Sequence, residues 1–109
     1  MESVSDENVE AALKFLRDNA DSLARAKAHA KFLEQKRKTL KAAAYLEAPG
    51  STITERESVA YNDKAYLQCL DEYEQAVYES ERLTVLLLAA ELKIKVWQTI
   101  NANARRGHL

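Results

Sequence analysis

The sequence predicts an all-α fold: a long antiparallel helical hairpin, coiled-coil-like, with a short connecting helix and a tendency to self-associate. Three observations carry this. Chain breakers are almost absent, with Pro49 beside Gly50 and Gly107 as the other glycine. Apolar residues recur at steps of three and four on both sides of the Pro-Gly mark. Charge is also segregated. Arg25 to Lys41 holds seven bases and one acid, whereas Glu55 to Glu81 holds eight acids and two bases.

The first helix is expected over about residues 6–47. Ser5 or Asp6 can accept the free amides of its first turn, and Asp6, Glu7 and Glu10 suit the positive end of the helix dipole. The seam expected along it is Val9, Leu13, Leu16, Ala20, Leu23, Ala26, Ala30, Leu33, Arg37, Leu40 and Ala44. Pro49-Gly50 ends the helix. A short helix over about 55–62 follows, opened by Thr54-Glu55-Arg56-Glu57 as a capping box with Ile53 as a hydrophobic staple. Asn62-Asp63 marks a bend or register change, because both side chains compete for backbone hydrogen bonds and Asp63 can cap a new helix; the competing reading is a single unbroken helix from 55 onward. The last helix is expected over about 64–102, followed by a tail over 103–109. Its seam is Tyr66, Leu70, Tyr73, Val77, Ser80, Thr84, Leu87, Ala90, Ile94 and Trp97.

Folding back at Gly50 sets the basic half of the first helix beside the acidic half of the last. It also sets Leu13 and Leu16 beside Leu83–Leu88, and Val4 and Val9 towards Ile94 and Trp97. Exposed ion pairs contribute only about 0–1 kcal/mol each, so the charge match selects register more than it stabilises.

The 109 residues fit a single helical domain, and a hydrophobic content of 47% excludes a wholly disordered chain. Much of that content is alanine and aromatics are 7%, so the core is a thin seam that a second copy can thicken. A net charge of -1 gives no bulk attraction to nucleic acid. One cysteine, Cys69, leaves no intramolecular disulfide and fits a reducing compartment. Met1 to Glu10 is acidic, unlike a signal peptide. The longest apolar run, Val85 to Ala90, falls well short of the ~20 residues a membrane span needs. The reading is a soluble, intracellular protein.

Catalysis has little to stand on. His29 has Arg25, Ala26, Phe32 and Leu33 at helical reach, and His108 lies in the tail. Cys69 has acidic neighbours, which raise a thiol pKa and oppose nucleophilic use. No close His/Cys pair offers a metal site, no Glu-x-x-His motif a di-iron site, and two glycines make no phosphate loop. No enzyme activity, cofactor or metal is expected. The candidate features are surfaces instead. Leu83, Leu86 and Leu87 belong to a stretch that is apolar around more than one helix face, and Trp97 adds a patch near the C-terminal end. Tyr61, Tyr66, Tyr73 and Tyr78 cluster near the bend, either as an aromatic seam closing the short helix onto the hairpin or as an interface. These eight residues form the candidate protein interface. The alternative is a nucleic-acid face on Arg25, Lys27, Lys31, Lys36, Lys38 and Lys41, although it lacks interleaved aromatics apart from Phe32.

Three segments carry a resemblance: Arg56-Glu57-Ser58-Val59-Ala60-Tyr61, Ala89-Ala90-Glu91-Leu92-Lys93-Ile94-Lys95-Val96-Trp97, and Asn101-Ala102-Asn103-Ala104-Arg105. With them the chain resembles small helical proteins encoded by tailed bacteriophages and prophages, over roughly residues 9–106. Lys95 stands where those proteins often carry an acid. The resemblance supplies no catalytic residue. It implies a viral accessory protein in the cytoplasm of a bacterial cell, binding a phage or host protein, with early DNA metabolism as one setting. Contact with nucleic acid in phage recombination or replication is the alternative it implies.

Overall fold

The computed structural model describes residues 5–107, and over them the chain forms three α-helices: α1 (Asp6–Glu47), α2 (Ile53–Tyr61) and α3 (Lys64–Gly107). α1 packs against α3 as a hairpin. The expectation placed on Val4 lies outside the described residues. Contacts gather in two compact units. One, here the terminal unit, comprises the chain up to Ala24 and from Glu81 onward; the other, the loop unit, is Arg25–Ser80.

Each helix end has a local cause. Ser5 caps α1, its Oγ accepting the Asn8 amide at 3.2 Å. α1 stops where Pro49 removes a donor and Gly50 turns at φ +135°, a conformation that favours glycine. A Cβ on Gly50 would also lie 3.0 Å from the Glu55 carboxylate.

The cap of α2 sits two residues earlier than expected. Thr52, not Thr54, accepts the Glu55 amide at 3.1 Å, and the Glu55 carboxylate accepts the Ser51 amide at 3.0 Å. Thr52-x-x-Glu55 and Thr54-x-x-Glu57 have the same form, and the nearer one wins because the tight Gly50 turn brings Glu55 back over the loop. Ile53 is therefore the first residue of α2 and is 67% exposed, so it is no staple.

The bend at Asn62-Asp63 is a true break. The Asn62 amide group donates to the Ser58 carbonyl at 2.8 Å, and Asp63 Oδ2 caps α3 by accepting the Tyr66 amide at 3.0 Å. α3 then runs through Gly107, beyond the expected end near 102. Residues 101–106 contain no breaker, the Asn101 side chain donates back to the Trp97 carbonyl at 3.0 Å, and Arg105 and Arg106 suit the negative helix end.

The seam corrects the expected stripes at Leu13 and Ala20 on α1 and at Leu70, Val77 and Thr84 on α3, and agrees with them elsewhere. Buried or half-buried residues that follow the seam on α1 are Val9, Ala12, Leu16, Asn19, Leu23, Ala26, Ala30, Leu33, Arg37, Leu40 and Ala44, with Phe15, Glu34, Lys41 and Tyr45 half-buried beside it. On α3 the seam residues are Tyr66, Cys69, Tyr73, Ala76, Ser80, Leu83, Leu87, Ala90, Ile94, Trp97 and Asn101, with Leu70, Val77 and Thr84 among the half-buried residues beside them. Both sets are unbroken heptads. Leu13 is 50% exposed where Ala12 is 5% exposed, Ala20 is exposed beside half-buried Asn19, and Leu70, Val77 and Thr84 flank Cys69, Ala76 and Leu83. The expected stripes each took two successive three-residue steps, Ala20–Leu23–Ala26 and Thr84–Leu87–Ala90. Such steps overwind a helix, and the regular repeat avoids this by accepting smaller or polar residues. Asn19 is tolerated because its side chain donates to the Phe15 carbonyl at 2.9 Å.

Within the loop unit the core is Leu33, Cys69 and Ala76, with Ala30, Leu40 and Tyr73 against it. In the terminal unit Val9, Ala12, Leu83, Leu87 and Ala90 are buried. Trp97 Nε1 donates to Asp6 Oδ1 at 2.7 Å, tying the two chain ends together. The two caps give a direct check. Thr52→Ala should lower the unfolding free energy by about 1 kcal/mol, and Thr54→Ala should change it by less than about 0.5 kcal/mol. Urea unfolding of the two variants measures both.

Candidate functional site

In the loop unit the cationic and tyrosine residues meet each other. The Arg37 guanidinium lies 5.4 Å from the centre of the Tyr73 ring, Lys41 Nζ 3.8 Å from that of Tyr61, and the Arg56 guanidinium 5.6 Å from that of Tyr45. Tyr61 meets Tyr66 edge to face at 6.2 Å. These contacts fasten α2 to both long helices: Arg56–Tyr45 and Lys41–Tyr61 reach α1, and Tyr61–Tyr66 reaches α3. Ala60, fully buried, lets α2 sit close. A cation over an aromatic face contributes ~0.5–1 kcal/mol when exposed and more when desolvated. The Nε atoms of Arg37 and Arg56 are buried without a hydrogen-bond partner, so ring contact is their main compensation.

The tyrosines thus divide. Tyr66 is buried and Tyr73 half-buried, whereas Tyr61 is 51% and Tyr78 68% exposed. The face of Tyr61 is already occupied by Lys41. Of the remaining interface candidates, Leu83 and Leu87 are buried in the seam, and Trp97 is half-buried against Asp6. None of these three offers a free surface while the hairpin stands. Leu86 is 39% exposed.

The basic face is equally divided. Lys41 is held by Tyr61, Lys38 pairs with Glu34 at 3.9 Å, and Arg25 also has a partner. Lys27, Lys31 and Lys36 are exposed along α1. His29 is exposed as well, and His108 lies outside the described residues. Cys69 is 2% exposed, with Sγ 3.7 Å from the Leu33 carbonyl oxygen, to which it donates. Among the described residues no group of three His, Cys, Asp or Glu side chains can hold a metal ion. No helix there is long and apolar enough to cross a membrane.

A different surface emerges on α3. Val85, Leu88 and Leu92 are 61%, 51% and 51% exposed. Their spacing of three and four puts them on one stripe, turned away from the seam residues Leu83, Leu87 and Ala90. Two shallow grooves border it in the terminal unit. One of about 510 Å³ is lined by Leu16, Leu23, Leu87 and Leu88, and one of about 300 Å³ by Phe15, Leu86 and Ala89. The candidate residues Leu83 and Leu87 belong to the same apolar segment but to its inner side. The signal that separates inner from outer is the seven-residue repeat. Once Leu83 and Leu87 are seam positions, Val85, Leu88 and Leu92 must face outward. Comparison with protein-family models, curated proteins and solved structures gives no match for this chain.

The Lys41–Tyr61 contact has a pH signature. Hydrogen bonding to Tyr61 raises the Lys41 pKa above its ordinary 10.5, with nearby Tyr61, Tyr66 and Glu57 charge adding to the effect. A raised folded-state value means the contact stabilises fully below the unfolded pKa and is lost as pH rises through the folded one. Lys41→Met should therefore be less stable than the wild type at pH near 8, and the gap should shrink as pH rises through the raised folded-state value of Lys41. Urea unfolding across that alkaline range reads it.

Proposed function

We propose that the protein is a non-enzymatic binding module that docks other proteins through the outward face of α3. The observation that carries this is the exposed stripe of Val85, Leu88 and Leu92, three large apolar residues on a helix whose opposite face already fills the seam. Contiguous apolar surface of this kind costs solubility when left bare and serves association when covered. A helix presenting apolar residues at such spacing suits a groove or another helix. The resemblance to small phage and prophage proteins supports an accessory role in the bacterial cytoplasm, acting on a phage or host protein of DNA metabolism.

The second reading is contact with nucleic acid through α1. It has its own observation in the exposed Lys27, Lys31 and Lys36. Their reach is limited by Lys38 and Lys41, which are engaged within the chain.

A photo-crosslinking residue placed at Val85, and separately at Lys31, in bacterial cells tests the choice. Docking predicts protein adducts from position 85, diminished by Leu88→Asp, and few from position 31. Fluorescence anisotropy should show no saturable binding of single- or double-stranded DNA. Saturable DNA binding that weakens with salt, with a shallower salt slope after Lys27, Lys31 and Lys36 are changed to Ala, would reverse the ranking.

A further inference from the structure

α2 has little to hold it in place. Of its nine residues Ala60 is buried, Arg56 is half-buried and the other seven are exposed. Its grip on the long helices is Arg56 on Tyr45, Lys41 on Tyr61 and Tyr61 on Tyr66. Such ring contacts are individually weak. Docking also leaves Arg56 Nε buried without a hydrogen-bond partner, which opposes it. Both ends of α2 have a joint. On one side Gly50 turns at φ +135°; on the other the chain bends at Asn62-Asp63, where the Asn62 and Asp63 amides donate to the Val59 and Ala60 carbonyls at 3.2 and 3.3 Å, three residues back instead of four.

We infer that α2 is a strap with a second position, in which it swings off the hairpin and continues α3 as one straight helix. Residues 58–66 contain neither glycine nor proline, so a helix can run through them. Straightening gives the amides of Lys64, Ala65 and Tyr66 the carbonyls of Ala60, Tyr61 and Asn62, where the bend leaves a first turn to be capped. The caps of α2 travel with it, because Ser51–Glu55 and Thr52–Glu55 are local contacts. The connection is long enough. The five residues from Ala48 to Thr52 reach up to about 20 Å, against a length of about 13 Å for α2. Closed, the strap sets Tyr61 against Tyr66, which is 6% exposed, and engages Lys41 and Tyr45. Open, it returns these groups to solvent. The tyrosine cluster is thus a fastening in one position and a surface in the other. This stands independently of docking through α3.

Spin labels on Thr54→Cys and Gln75→Cys, in the full chain with Cys69→Ala, read the position of the strap by pulsed electron resonance. Both sites are exposed. They lie twenty-one residues apart, about 32 Å in a straight helix, and any bend between them shortens this. A shorter distance should dominate in the labelled parent. Tyr61→Ala removes two fastenings, and Asn62→Ala with Asp63→Ala removes both side-chain bonds of the bend. The triple variant should raise the fraction near ~32 Å roughly tenfold, with Tyr61→Ala alone giving a smaller rise. Adding Lys64→Pro should abolish the long distance, since proline suits the first turn of a separate α3 but its ring clashes with the Ala60 carbonyl in a continuous helix. Circular dichroism should show helix content kept in the released variants. Tyr61 is half-exposed, so Tyr61→Ala keeps the hairpin and reads the shift even where the triple variant fails to fold. A shorter distance unmoved by Tyr61→Ala, a loss of α2 helicity in place of the long distance, or a long distance that survives Lys64→Pro overturns the inference.

Discussion

A narrow seam of small side chains between α1 and α3 is the constraint on which the rest depends. Ala12, Ala26, Ala30 and Ala44 on one helix, and Cys69, Ala76, Ser80 and Ala90 on the other, occupy heptad positions that in many coiled coils hold leucine. Small residues let two helices approach closely, since interaxial distance follows the side chains at the contact. They also bury little area each, at ~25 cal/mol per Å². The seam therefore fixes geometry better than it supplies stability, and other interactions must supplement it.

The supplements differ between the units. In the loop unit, arginine and lysine head groups lie over tyrosine rings, so the same contact covers apolar ring surface and places the charge against a ring face. That arrangement consumes two features that would otherwise look functional, the tyrosine cluster and part of the basic face. In the terminal unit the larger apolar residues gather, some in the seam and some outside it. Tyr45, Tyr61 and Tyr73 are needed at home, whereas Val85, Leu88 and Leu92 are not. This difference moves the functional reading from the bend to the outer side of α3.

The hairpin and the long helices were legible in the sequence, because each rests on local chemistry: a proline and a glycine, and long runs without breakers. The break at Asn62-Asp63 competed with an unbroken helix from 55 onward, and the Asp63 cap on Tyr66 decides it. The phase of the seam was legible only in part. From Leu23 to Ala44 and from Leu87 to Trp97 the expected stripe is the seam, but Leu13 is more apolar than Ala12, and Leu70 more than Cys69, so hydrophobicity alone chooses the wrong residue in the first half of each helix. Strict seven-residue regularity chooses the right one, as the observed burial shows. The cap of α2 was ambiguous between two identical Thr-x-x-Glu frames, and only the Gly50 turn decides it. The candidate interface shares this error at Leu83. The heptad sets Leu83 inward beside Leu87, which the expected seam already held, and leaves Val85, Leu88 and Leu92 outside.

Cys69 offers the most direct test of that phase. In the observed seam its thiol is 2% exposed beneath Leu33; in a seam running through Leu70 it would stand at the flank. The measurement is the rate at which a thiol reagent labels the native protein, relative to the urea-unfolded chain at the same pH. A seam position predicts labelling slowed by about 10³-fold or more, accelerating with urea as the hairpin opens. Native labelling within about tenfold of the unfolded rate would contradict the heptad seam.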